Sequence, residues 1–183
     1  SGRAIVPVLR YRSGIRGKAY PFMAEKVDFS SIHFLIVDSN ALSADLARDL
    51  LLTMGATSVF VAHSFDEGLG VLDSDSVDVL LTELHLPPRN GLDLIRAVRD
   101  GKTKAHKQMP ILVMSAMSAV EHVFEARDAG VTEFIAKPYG VEGFYRRMVG
   151  IIARPRAFVD SKDYYGPDRR RRQVPITGPD RRE

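Results

Sequence analysis

From Ile32 onward, short apolar runs alternate with longer segments whose apolar residues recur every three or four positions. His33–Asp38 (HFLIVD) reads as a strand, and Ala41–Met54 places Leu42, Leu46, Leu50 and Met54 at helical spacing, with Gly55 as the glycine that ends the helix. Residues 57–62 (TSVFVA) form a second strand and 65–72 a short second helix; 77–83 (VDVLLTE) and 92–99 repeat the pair. A polar loop, 100–108, leads to a fourth strand at 110–115 (PILVMS) and a helix at 118–130 that ends on Gly130. A fifth strand at 131–137 (VTEFIAK) precedes Pro138, and a fifth helix covers 141–153. Strands that are apolar throughout are buried on both faces, so the expected fold is α/β: a doubly wound, five-stranded parallel sheet with five helices and right-handed crossovers.

In such sheets ligands sit beyond the carboxyl ends of the strands, near the point where strand order reverses. The residues there are Asp38, Glu83, Ser115 and Lys137. Two carboxylates, a hydroxyl and an ammonium are thus expected around one crevice. A carboxylate closing an apolar strand, as Glu83 does, is costly to bury alone and calls for a partner.

This succession, with FLIVDSN, LLTELHLPPRNGLDLIRAVR, ILVMSA and EFIAKP in that order, resembles the response-regulator receiver domain, the flavodoxin-like fold of CheY-like proteins, over Ser31 to Ala153. The resemblance implies a role for each position. Asp38 matches the first acid of a Mg²⁺-holding pair, Glu83 the phosphoacceptor, and the carbonyl of His85 a further metal ligand. Ser115 matches the switch hydroxyl, Phe134 the switch aromatic, and Lys137 with Pro138 the Lys-cis-Pro step that binds phosphoryl oxygens. Two positions depart from the family: the second acid of the pair is Ser39, and the acceptor is glutamate instead of aspartate.

Both departures fall on the chemistry. Mg²⁺ needs a near-octahedral oxygen shell, and Ser39 removes one full negative charge from it. The extra methylene of Glu83 displaces its carboxylate by about 1.5 Å, and a misplacement of about 1 Å costs ~100-fold where transfer depends on positioning. The expectation is a weakened or lost metal site and a Glu83 that reaches Lys137, imitating part of the charge of a phosphorylated aspartate. Alternatives are a structural ion pair with no regulatory meaning and a retained phosphoacceptor in a two-component phosphorelay. The resemblance further implies a non-enzymatic, stand-alone signalling module that meets a kinase, motility or signalling protein through its fourth helix, fifth strand and fifth helix.

Other chemistry finds little support. His33, His63 and His106 are too scattered for a metal pattern, Ser115 has no G-x-S-x-G setting, and LPPRNG lacks the glycines of a phosphate-binding loop.

The ends differ from the middle. Residues 1–22 carry five basic side chains and no acid, and residues 160–183 carry seven basic and five acidic ones. Of the chain's 26 basic and 23 acidic residues, 14 and 18 remain between them, so the pI of about 9.3 is made by the termini. Residues 1–30 are expected to be an extension, with 1–22 a vector-derived or over-extended start ahead of Met23. Cysteine is absent, which agrees with a reducing, cytoplasmic setting, and no apolar run reaches the ~20 residues of a membrane span. Residues 154–183 contain GPDRR twice, at 166–170 and 178–182, and their Pro and Gly content predicts an extended or disordered tail. Arginine forks fit phosphates and the Hoogsteen edge of guanine, aspartate can accept from guanine N–H groups, and Tyr164 or Tyr165 could stack on a base. Asp168, Arg169, Arg170, Arg171, Arg172, Asp180, Arg181 and Arg182 are therefore candidates for binding cyclic di-GMP, and the layout resembles CheY-like effectors with arginine-rich tails. The alternative is a solvated charge run. A helix-turn-helix core cannot be built from 30 residues of this composition, which disfavours DNA binding.

Overall fold

In the computed structural model, residues 27–116, 120–161 and 164–169 are described. Five parallel strands, β1 (His33–Val37), β2 (Ser58–Ala62), β3 (Val79–Thr82), β6 (Ile111–Ser115) and β7 (Glu133–Ala136), lie in the order β2-β1-β3-β6-β7. Helices α1 (Ala41–Thr53), α2 (Phe65–Ser74), α3 (Gly91–Arg99), α4 (Val120–Asp128) and α5 (Val141–Ala153) alternate with them. The expected doubly wound sheet is therefore present. Its strands alternate between two cores: Phe34 and Ile36 pack with α1 and α5, whereas Leu35 and Val37 pack with α2 and α3. None of the helices among the described residues is long and apolar enough to cross a membrane.

Local chemistry sets the ends of the elements. The side chains of Asn40, Ser64 and Asn90 cap α1, α2 and α3 by accepting from the N–H groups of Ser43, Glu67 and Leu92. Between β3 and α3, the two-residue strands β4 (His85–Leu86) and β5 (Arg89–Asn90) pair antiparallel around a cis Pro87–Pro88 peptide. A side chain at Gly91 would put Cβ 2.0 Å from the Glu83 carbonyl oxygen, so glycine there lets α3 start hard against the end of β3.

Three features add to or differ from the pattern-based reading. Of the helically spaced Leu42, Leu46, Leu50 and Met54, the last two are partly buried against the core while Leu42 is 80% exposed and Leu46 53%, and Ala44, Ala47 and Leu51 are the residues of α1 buried against the sheet. Small alanines let the helix lie close to the strands, so packing distance overrode bulk. Phe29, expected in an N-terminal extension, is buried in a single 3₁₀ turn (Phe29–Ser31) and stacks on Phe34. For the described part of the tail the expectation of an extended or disordered segment is likewise corrected: β8 (Phe158–Ser161) and β9 (Tyr164–Pro167) form an antiparallel hairpin docked on the domain, while residues 170–183 lie outside the described residues. Gly166 allows this, because a Cβ there would lie 3.0 Å from Gly130 Cα and closer still to the Tyr164 ring.

Candidate functional site

β1 and β3 each end one residue before an acid, and β7 ends one residue before Lys137. Parallel pairing extends just past the strands, since the N–H groups of Asp38, Glu83 and Lys137 donate to the carbonyls of Ala62, Val37 and Ser115. The three side chains consequently meet at the carboxyl edge of the sheet. Lys137 Nζ lies 2.6 Å from Asp38 Oδ2 and 2.7 Å from Glu83 Oε2. The remaining carboxylate oxygens are also used: Asp38 Oδ1 accepts from the Asn40 N–H at 3.0 Å, and Glu83 Oε1 from the Leu84 N–H at 2.6 Å. Asp38 and Glu83 are buried, which makes this ammonium their charge partner in a water-poor setting.

The surrounding positions complete the cluster. Ser115 is buried at the end of β6, Phe134 is half-buried against the α2–α3 side of the core, and the Lys137–Pro138 peptide is cis. Ser39 donates its hydroxyl to the carbonyl of His85 at 3.1 Å. The oxygen donors are thus two carboxylates already bridged by an ammonium and a carbonyl already bonded to a hydroxyl. Among the described residues no three acidic or imidazole groups gather. This donor set does not fit the octahedral shell that Mg²⁺ demands.

Tyr139, two residues beyond Lys137, belongs to the site and was not picked out from the sequence. Its ring stacks on Phe144 at 5.4 Å, and its hydroxyl lies 3.5 Å from Met114 Sδ. Burial, and then the charges of Asp38 and Glu83, push its phenol up to about 12. The signal was an aromatic immediately after the Lys-Pro step. His63 Nδ1 lies 3.1 Å from the backbone carbonyl of Asp38, and His33 pairs with Asp78, so two of the scattered histidines have structural partners.

The docked hairpin takes up part of the tail chemistry. Asp168 donates its N–H to the Ala157 carbonyl, and the Arg169 guanidinium sits 3.9 Å above the Tyr164 ring and 3.2 Å from Asp128 Oδ1. Tyr165 lies against Phe158 and under Lys107. The sequence also gave no sign of Arg99, which is 3% exposed beneath the hairpin. It donates to the carbonyls of Gly130, Lys107 and Met109, with Phe158 over its guanidinium at 5.1 Å. Burial lowers its pKa to about 10, against the raising influence of Tyr164 and Tyr165. Arg170, Arg171, Arg172, Asp180, Arg181, Arg182 and residues 1–22 lie outside the described residues.

A parallel 2-1-3-6-7 sheet with acids, a hydroxyl and a lysine at its carboxyl edge defines a class of signalling domain, and comparison with known proteins agrees. Residues 34–148 match the model of the response regulator receiver domain, and the chain belongs to that family. It is 30% identical to the chemotaxis protein CheY of Pseudomonas aeruginosa over 120 residues, 66% of this chain and 95% of that one. It is also 30% identical to the response regulator MprA of Mycobacterium tuberculosis over 125 residues, 68% of this chain but only 52% of MprA. The solved structure of the chemotaxis response regulator CheY4 of Vibrio cholerae superposes with a TM-score of 0.60 at 22% identity, covering 66% of this chain and 98% of that one, and supports the fold alone. The protein is a response-regulator receiver acting in signal transduction.

Proposed function

We propose that this receiver signals without phosphotransfer: a pseudo-receiver, not an enzyme, whose acid pocket is held in one conformation and whose output is protein binding through α4, β7 and α5. The observation that carries this reading is the bridge from Lys137 Nζ to both Asp38 and Glu83, at 2.6 and 2.7 Å. In-line transfer needs a nucleophilic oxygen open to the phosphorus and a cation to gather the charge. Here each Glu83 oxygen is hydrogen-bonded, Oε1 to the Leu84 N–H and Oε2 to the Lys137 ammonium. Incubation with Mg²⁺ and acetyl phosphate, followed by intact-mass measurement, is expected to leave the mass unchanged. A stoichiometric, labile acyl phosphate on Glu83 overturns the proposal.

A second reading, cyclic di-GMP binding by the arginine-rich tail, is supported by the repeated GPDRR. The binding groups in this reading are Asp168–Arg172 and Asp180–Arg182, of which Arg169 is also engaged with Tyr164 and Asp128. Calorimetry should compare the intact chain with one ending at Arg169, which keeps the hairpin. Equal affinities eliminate the tail as the binding element.

A further inference from the structure

The two edges of the sheet are finished differently. At the β7 edge a charged side chain stands against the backbone: Glu133 Oε1 accepts the Phe134 N–H at 3.2 Å and pairs with Arg147 at 2.9 Å. Charges placed in this way discourage a further strand. The β2 edge has no such guard. Ser58–Ala62 (SVFVA) contains no charge, proline or glycine, and among the described residues β2 pairs with β1 alone.

Two hydrogen bonds show which backbone groups lie open there. Asp38 donates its N–H to the Ala62 carbonyl at 3.0 Å, so Ala62, and with it Phe60 and Ser58, turn their peptide groups toward β1. His63 turns the other way, and its N–H is accepted by Glu67 Oε2 at 2.8 Å. Alternation along the strand therefore points the N–H and C=O of Val59 and Val61 off the edge. The open stretch is bounded on one side by Thr57, whose hydroxyl donates to the Ser30 carbonyl at 2.8 Å, and on the other by the capped His63. Phe60 is half-buried against the α2–α3 side of the core, and Val59 and Val61 against the α1–α5 side.

We propose that β2 is the contact between two copies of this chain, which pair antiparallel about a two-fold axis through Phe60. Val-Phe-Val reads the same in both directions, as a contact that uses one patch twice requires. In that register Val59 of each copy faces Val61 of the other, and each such pair exchanges both of its hydrogen bonds. Phe60 faces its own copy across the axis at a non-hydrogen-bonded position, where side chains approach closest and an aromatic pair stabilises the sheet. Ser58 meets Ala62 and Thr57 meets His63, so no like charges face each other along the paired strands. A strand of another sequence would find the same backbone groups but not the aromatic pair on the axis. β7 lies at the opposite edge, so the dimer leaves α4, β7 and α5 of both copies open to partners.

The test uses the ¹⁵N-labelled full chain from about 10 µM to about 1 mM, with sedimentation equilibrium for the mass and amide exchange for the site. A contact this short lies at the weak end of specific interfaces, so the mass should rise from monomer toward dimer within that range. Exchange at Val59 and Val61 should slow by about tenfold over the same span, while Phe60 and Ala62, already turned to β1, change little. Phe60→Lys and Phe60→Glu should each stay monomeric, because like charges would meet on the axis, and an equimolar mixture of the two should regain the dimer. Val61→Pro removes one outward N–H, at a place where an edge strand tolerates proline. It should be monomeric too, without any change to the aromatic. A wild-type chain still monomeric at the highest concentration, a dimer protected in residues 133–153 but not at Val59 and Val61, or a Lys–Glu mixture no more associated than either variant alone overturns the proposal. So does protection of Val59 and Val61 that is independent of concentration and vanishes when residues 1–22 are removed, because the chain's own start then covers the edge.

Discussion

Asp38 and Glu83 are two buried acids that share one ammonium, and that sharing governs what each substitution will do. Replacing Lys137 by Met leaves both carboxylates without a counter-charge, and breaking a buried pair this way costs about 3–5 kcal/mol. Urea unfolding of Lys137→Met should show that loss, and adding Asp38→Asn should recover part of it. The same geometry indicates how the chemistry could be restored. Ser39→Asp supplies a missing acid and releases the His85 carbonyl from its hydroxyl donor, while Glu83→Asp withdraws the carboxylate from Lys137 by about 1.5 Å. The double variant is expected to gain Mg²⁺-dependent phosphoryl uptake from acetyl phosphate, seen by mass, with each single variant remaining unmodified. Tyr139 offers a third reading of the pocket. Its phenol is raised from 10.0 to about 12, so the fold favours the neutral form; that contribution is complete below about pH 10 and is lost as pH rises through about 12. Arg99, lowered to about 10, acts in the opposite sense at alkaline pH, because the folded state sheds its proton first. The difference between wild type and Tyr139→Phe isolates the tyrosine: ultraviolet titration should lose one step near pH 12 and the alkaline fall in stability should lessen.

At the level of elements, continuous apolar runs and period-3.6 patterns were enough to place the five parallel strands and the five α-helices, because the central runs β1, β3 and β6 are buried on both faces and have one low-energy place to go. The site acids were legible for the same reason: a charge at the end of such a run has to lie at the sheet edge. What the pattern missed depends on contacts distant in sequence. The burial of Ala44 and Ala47 in place of Leu42 and Leu46 reflects how closely α1 approaches the sheet, a quantity no local window contains. Arg99 lies at the end of a helix, and its burial comes from segments distant in sequence: the Gly130, Lys107 and Met109 carbonyls and the Phe158 ring. The hairpin was hidden by its Pro and Gly, which suggested a disordered tail but instead allow close docking. Gly166→Val tests this directly, since its side chain would collide with Gly130 Cα and the Tyr164 ring. The variant should release the hairpin and open the segment after Ala153 to limited proteolysis, with the receiver core left resistant.

On the scale of the molecule, the folded middle is acidic and the basic excess lies in the terminal segments, so the C-terminal region has two parts with different physical roles. Residues 158–161 and 164–169 are built into the fold: Phe158 covers Arg99, Tyr165 meets Gln108 and Lys107, and Arg169 reaches Asp128. The Arg169–Asp128 pair is solvent-exposed on both sides and adds little stability by itself; the apolar and stacking contacts beneath it do the holding. Against them works Arg99, whose Nη2 has no hydrogen-bond partner, and whose buried charge meets no carboxylate, among the described residues. Removing the hairpin therefore has two opposed effects, loss of aromatic packing and rehydration of a guanidinium, and the packing loss should prevail because three carbonyls already satisfy most of Arg99's donors. A chain ending at Arg169 is expected to unfold at the same urea concentration as the full chain, whereas one ending at Ala157 should lose roughly 1–3 kcal/mol. If both truncations unfold alike, the hairpin is an ornament on an independent receiver; if only the shorter one is weakened, the domain extends past α5 and any ligand of the arginine tail binds to a segment anchored to α4.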